Sequence, residues 1–293
     1  PSSGDFIPSL RLEVTTNNDI SEELIIDKNK NIIYRRDLNA YFNNVIDTTI
    51  SAYVFVPDPI TSGNYTYGSP IVDSSDISYP TINSQRISKY IKANYQSGLF
   101  TLENSYAKIQ EHSAPVVNPV SSTSTIINFD RYSDGFEDVN ALYHITEFQH
   151  YLQSIGIFDA ANYQIAVDTH GLNGADNSVF TSSTSPPRLT FGEGGVDDAE
   201  DADVIIHEYG HAISYSCAPG TNNGTQRKAM DEGMGDFFAS SYSRMLNSFG
   251  WYKVFNWDGH NEYWGGRVSN STMHYPNNLT NQIHTDGQIW SSV

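Results

Sequence analysis

From residue 136 onward the apolar side chains change their spacing, and that change limits the folds open to this chain more than any other feature. In "EDVNALYHITEFQHYLQSIG" the residues Val139, Leu142, Ile145, Phe148, Leu152 and Ile155 recur every three or four positions, and Gly156 closes the run. That period puts them on one stripe of a helix, which has to be buried against another element. Upstream, from Ser9 to about Arg131, the pattern is that of strands. "LRLEVTT" and "LIIDKNKNIIYRR" flank Asp/Asn-rich turn signals, and "TTISAYVFVPDPITSG" alternates until Pro and Gly stop it. Strands first and helices after predict an α+β fold, a β-rich part over residues 46–135 followed by a helical half over 136–293. On the 137–156 helix, His144 and His150 read as histidines satisfied in or near the core. No internal repeat, heptad pattern or low-complexity tract interrupts this plan.

Charge and composition exclude several functions. Sixteen basic against 34 acidic side chains leave a formal charge of −18, which repels phosphate backbones and anionic lipid, so nucleic acid is not an expected partner. No apolar run approaches the ~20 residues that span a bilayer, so no membrane insertion is expected. The chain opens on Pro1 with no basic and apolar leader, which implies that a leader has been removed or that the sequence begins downstream of one. Its one cysteine, Cys217, rules out an internal disulfide, and its surroundings carry no nucleophile motif. A charged fraction of 17% and many Asn, Ser, Thr and Tyr residues suit a secreted, extracellular protein, expected as a monomer.

The chemistry concentrates in "DADVIIHEYGHAISYSC". Asp197 with Glu200 three residues later predicts a capping box, the acids at 198, 201 and 203 favour the positive end of the helix dipole, and Pro219-Gly220 ends the run. "HEYGH" therefore sits on a helix. There His207 and His211 are one turn apart on one face, and Glu208 lies about 100° round the same rim. Two imidazoles so placed can hold Zn²⁺, and the intervening glutamate can reach a water on the metal without being a ligand. A random H-E-x-x-H arises in a chain of this composition about once in a hundred. A third ligand is thus the test. Twenty-one residues after His211, "RKAMDEGMGDFFASSYSRML" spaces Glu232 and Asp236 at i,i+4 on another helix. Glu232 can complete the metal set, and Asp236 can accept the spare N–H of a ligand histidine and fix its tautomer.

This order of motifs resembles the thermolysin-like gluzincins, and "HEYGHAIS", "DEGMGDFFA" and "HTDGQIW" look most like the fungalysin branch. The resemblance covers Phe136 to Val293, the β half loosely, and Leu10 to Leu38 faintly resembles the last strands of a propeptide. It implies a thermolysin-like zincin fold with residues 1–45 as a propeptide-like segment or linker and 46–293 as the catalytic domain. It also implies one zinc per chain on His207, His211 and Glu232, Glu208 as general base, and Asp236 behind a ligand histidine. His284 in "IHTDGQIW" matches the histidine that steadies the tetrahedral intermediate. Asn177 in "DNSVF" resembles the asparagine that holds the substrate backbone, and Arg267 in "GGRVSN" the carbonyl-binding arginine. The function implied is a zinc endopeptidase acting on protein or peptide substrates.

Departures from the family pattern set further expectations. Asp203, one turn before His207, matches a calcium-binding acid of stable relatives. The partner cluster has no counterpart in "SSYSRMLNSFGWYK", which speaks against a structural Ca²⁺; the acids from Asp197 to Asp203 read as helix-capping charge. No acid stands among "LTNQI" before His284, so its orientation must come from elsewhere. The chain stops at "WSSV", where the family continues with a helical subdomain, so the resemblance implies a truncated C-terminus. The alternative is an inactive or structural-zinc binding module. A structural site needs a fourth protein ligand, and none stands at suitable spacing.

Overall fold

The computed structural model describes residues 9–15, 21–37 and 47–292. The chain divides into two compact units, Pro1–Asn43 and Asn44–Val293. The expected boundary at 45/46, the last residue of the propeptide-like stretch, Leu38, and Val293 lie outside the described residues. The first unit is an antiparallel three-stranded sheet of β1 (Ser9–Thr15), β2 (Ser21–Asp27) and β3 (Ile32–Asp37). The turn between β2 and β3 forms because Asp27 Oδ1 accepts from the backbone N–H of Asn29 and Asn31, both at 2.8 Å.

In the second unit β4 (Asp47–Val54), β5 (Ile87–Gln96), β6 (Leu99–Thr101), β8 (Ser121–Ser122) and β9 (Ile126–Ile127) form one sheet in the order β8-β6-β5-β4-β9. Past the prolines that stop the alternation, "PITSG" forms a short helix, α1 (Pro59–Gly63). Pro59 presets the first helical φ, and Asp58 caps the turn by accepting from Thr61 N at 2.7 Å. A second short helix, α2 (Pro80–Asn83), precedes β5. The other sheet runs β11-β12-β10-β7, with β7 (Ala107–Ile109), β10 (Ile165–Asp168) and β12 (Arg188–Phe191) parallel, and β11 (Ser178–Thr181) antiparallel at the edge. The fold is mixed α+β, 31% helix and 21% strand.

Helix α3 (Gly135–Ser154) ends where Gly156 takes φ +89°. It is buried more completely than a single apolar stripe requires, since every residue from Gly135 to Thr146 is buried. Several of its polar residues are paired for that reason, though both carboxylate oxygens of Glu137 are buried without a hydrogen-bond partner. Asn140 accepts from Phe55 N and donates to Ala199 O. His144 spans Phe55 O and Tyr242 OH at 2.9 and 3.0 Å, and burial pulls its pKa down to about 4, a core histidine. His150 differs: it is exposed beside Glu147 and does not belong to the core.

Helix α4 (Ala202–Cys217) carries the two-histidine motif, α5 (Thr225–Leu246) follows, and α6 (Ile283–Ser291) closes the described chain. The short pair β13 (Lys253–Val254) and β14 (Arg267–Val268) lies between the last two helices. The expected capping box is not formed. The chain makes a 3₁₀ turn at Asp198–Glu200, and Asp201 is the N-cap of α4, accepting from Asp203 N at 2.8 Å. Nor are the acids ahead of α4 solvated capping charge: Asp197 to Asp203 are all buried and most bond elsewhere in the fold. Asp201 accepts from Trp257 N and Asp258 N, and Asp203 from Ser243 Oγ and Phe255 N. Glu200 meets Arg131, whose guanidinium also binds Asp73 and stacks on Trp257. Tertiary donors outcompete the local cap because each buried carboxylate costs several kcal/mol unless it is paired.

Candidate active site

Three helices meet at glycines. A Cβ on Gly235 of α5 would stand 2.6 Å from His207 Nδ1 on α4, and one on Gly233 would stand 2.5 Å from Gly287 O on α6. Glycine inside a helix costs about 0.5–1 kcal/mol against alanine, yet here no side chain fits, so α4, α5 and α6 approach to backbone distance. The residues brought together are the ones the three motifs carry.

His207 Nδ1 lies 2.9 Å from Asp236 Oδ1, and His211 Nδ1 lies 2.9 Å from Asp231 Oδ2. With both Nδ1 atoms engaged by carboxylates, both Nε2 atoms are left for Glu232, at 3.3 Å from Oε2 for His207 and 3.8 Å from Oε1 for His211. Glu208 also comes within 4.8 Å of the two imidazoles, so distance alone leaves two carboxylates beside them. Their environments separate them. Glu232 touches both Nε2 atoms from the facing helix, whereas Glu208 extends from the histidine helix itself and keeps Oε2 without a hydrogen-bond partner. Glu232 Oε2 is a second buried acceptor with no hydrogen bond. Two imidazole Nε2 atoms facing the two oxygens of one carboxylate, of which Oε2 is orphaned, form a donor set that a divalent metal satisfies.

The electrostatics agree with that chemistry. Burial opposes charge on His207, but Asp236 and Glu232 outweigh it and push its pKa up to about 10. Burial likewise opposes ionisation of Glu232 and Asp236, yet His207 and, for Asp236, Arg267 hold both down to about 2. This point in the protein holds positive charge, as a proton on imidazole or as a cation in its place.

Arg267, on β14, grips Asp236 with Nε and Nη2 at 2.8 Å each and lies over the Phe255 ring at 4.6 Å. Asp236 thus bridges His207 and Arg267 and holds both. His284, in the first turn of α6, has Nε2 3.5 Å from Glu232 Oε2 and a side chain about half exposed. Its backbone N–H is capped by Gln282 Oε1 at 3.0 Å. Asp286 ties down Thr280 and Asn281, so the acid that orders this turn comes after the histidine, where no scan of the preceding residues finds it. Asn177 precedes edge strand β11, where its carbonyl accepts from Gly192 N at 3.1 Å. Asn177, His207, Glu208, His211, Glu232 and His284 line one cavity of about 870 Å³ with Asp231 and Arg267, and Asp176, Asp198, Asp258 and Trp264 stand in the same lining.

Asp231 was not singled out from sequence. Its signal is its place just before Glu232, about 100° round the helix, which aims it at the neighbouring histidine. Phe255 and Trp264, the rings under Arg267, sit in a loop with no periodic pattern. Both oxygens of Asp203 are taken by Ser243 and Phe255 N, so this acid serves the packing of α4.

The sequence model of the fungalysin metallopeptidases matches residues 121–293, a span that contains α3 to α6 and the cavity just described. No curated protein matches the chain. That match covers more than half of the sequence, and the chain belongs to the fungalysin metallopeptidase family.

Proposed function

We propose that the chain is a secreted zinc-dependent endopeptidase with a thermolysin-like arrangement in which α4 forms the floor of the substrate cleft. The observation that carries this reading is the convergence of His207, His211 and Glu232, with Glu208 unpaired beside them on the same cavity. His207, His211 and Glu232 would hold the zinc, three protein ligands that leave room for water and substrate. Zinc there supplies Lewis acidity, to polarise the scissile carbonyl and acidify a water molecule. Glu208 takes the proton from that water as it attacks the carbonyl carbon, then returns it to the departing amine. The imidazole N–H of His284 donates to the carbonyl oxygen as negative charge develops there. Asn177, just ahead of the edge strand, and Arg267 orient the peptide backbone. No covalent bond between enzyme and substrate is required. The acidic composition suits an extracellular setting.

Chelation is expected to abolish hydrolysis of casein or a peptide library, and about one equivalent of zinc to restore it. His211→Ala should bind no zinc under the same conditions. Hydrolysis that survives chelation would sink the proposal. Asp231→Asn removes the carboxylate that holds the His211 tautomer, so zinc affinity is expected to fall about 10–100-fold with the fold intact. A competition titration with a chromophoric chelator measures this, and an unchanged affinity would show that Asp231 plays no part in metal binding.

A further inference from the structure

A second cluster of charge stands in the same unit and takes no part in the chemistry above. Asp176, Asp198 and Asp258 each offer a carboxylate oxygen, and the three lie within 4.8 Å of one another. They come from three segments: the residue before Asn177, the 3₁₀ turn ahead of α4, and the loop between β13 and β14. Neutral donors hold one oxygen on two of them. Asp198 Oδ2 accepts from Ser178 Oγ, and Asp258 Oδ2 from Trp264 Nε1 at 3.2 Å. The other oxygens, Asp198 Oδ1 and Asp258 Oδ1, are buried with no hydrogen-bond partner, in side chains only 2% and 5% exposed. Among the described residues no Lys, Arg or His forms an ion pair with any of the three.

Asp198 and Asp258 are costly to bury without a counter-charge, each keeps an oxygen with nothing to accept, and the exposed Asp176 adds a third carboxylate beside them. The arrangement has the dimensions of an ion site. Oxygens bound to one calcium at about 2.3–2.6 Å stand at most about 5 Å apart. The donor set is all oxygen, with no imidazole or thiolate, which selects a hard cation over zinc. A substrate ammonium or guanidinium fits less well, because the free oxygens are closed to solvent. We propose that Asp176, Asp198 and Asp258 form a divalent-cation site of the calcium class on the wall of the cleft. The inference stands apart from the peptidase reading. A cation there ties the edge-strand approach, the entry to α4 and the Trp264 loop to one another, and so rigidifies the wall that faces Glu208.

The test uses the full chain with its histidine site saturated with zinc. Terbium added to it should give saturable luminescence on tryptophan excitation, since Trp264 bonds Asp258 directly, and calcium should displace it at about 10⁻⁴–10⁻³ M, the range of extracellular calcium modules. Calcium at about a hundred times its dissociation constant should raise the melting temperature by about 5 °C. Asp258→Asn and Asp176→Asn should each lose both responses; Asp176 is exposed, so its variant folds even if the other does not. Three results overturn the proposal. One is the absence of saturable luminescence in the parent. Another is a signal that survives both variants but disappears in Glu137→Gln, which moves the cation to the buried Glu137–Asp197–Glu200 group. The third is a parent with no calcium response and an Asp198→Asn variant that melts higher, which shows carboxyls kept neutral by protonation.

Discussion

Glu208→Gln is expected to lower kcat by about 10²–10⁴-fold, roughly 3–5 kcal/mol of transition-state stabilisation, while zinc content stays at one equivalent per chain. Glutamine keeps the shape and one acceptor oxygen of the side chain but can neither take a proton from water nor return it to the leaving amine. The ligands are untouched, because Glu232, and not Glu208, makes the close contacts to both imidazole Nε2 atoms. KM should therefore change little, which separates a lost base from a collapsed site. Peptide hydrolysis measured beside metal analysis decides the matter. A variant that turns over at the parent rate refutes the base, and one that loses zinc refutes the division of labour between the two glutamates.

Arg131→Met is expected to destabilise the protein by about 3–5 kcal/mol, a fall in melting temperature on the order of 10 °C. Arg131 is fully buried and serves three acids at once. Its Nε and Nη2 bond Glu200 at 2.8–3.0 Å, and Nη2 also reaches Asp73 at 2.7 Å and Asp76 at 3.1 Å. Burial disfavours its charge, but Glu200 and Asp73 outweigh that and hold its pKa above the ordinary arginine value. Methionine fills much of the volume and leaves the buried carboxyls of Glu200 and Asp73 without the cation that pairs them. Trp257 Nε1, which also donates to Glu200, cannot replace it. Arg131→Lys should recover only part of the loss, because a point ammonium cannot serve both carboxylates and stack on the indole. Thermal unfolding reads the result, and a melting temperature within about 2 °C of the parent would show that the pair is dispensable.

Much of the candidate site was legible in the sequence, and the reason is local. His207 and His211, and Glu232 and Asp236, are four residues apart, and one turn of helix converts that spacing into a shared face whatever surrounds it. The stop at Gly156 was legible on the same ground. Where the reading of α4 failed, at the Asp197–Glu200 cap, the failure was one of competition. The local motif was present, but Arg131, Trp257 and Ser178 offered those acids and their neighbours better-buried partners from far along the chain.

The sequence by itself determined the long helices, the residues each presents together and the class of metal chemistry they can support, because these depend on a helical period and on side-chain type. It did not show that the expected helical half also carries the strands β10, β13 and β14. The tertiary structure decided which elements meet. Gly233, Gly235 and Gly287 mark the crossings, yet a glycine shows only that something can come close, not what does. It also decided that Asp231 serves His211, that Arg267 is held by Asp236, and that Asp176, Asp198 and Asp258 share one place. Such pairings join residues 20 to 82 positions apart, and a charge leaves no mark on its sequence neighbours that names its partner. Only packing sets how far each charge is removed from water, and that removal is what makes a distant partner decisive.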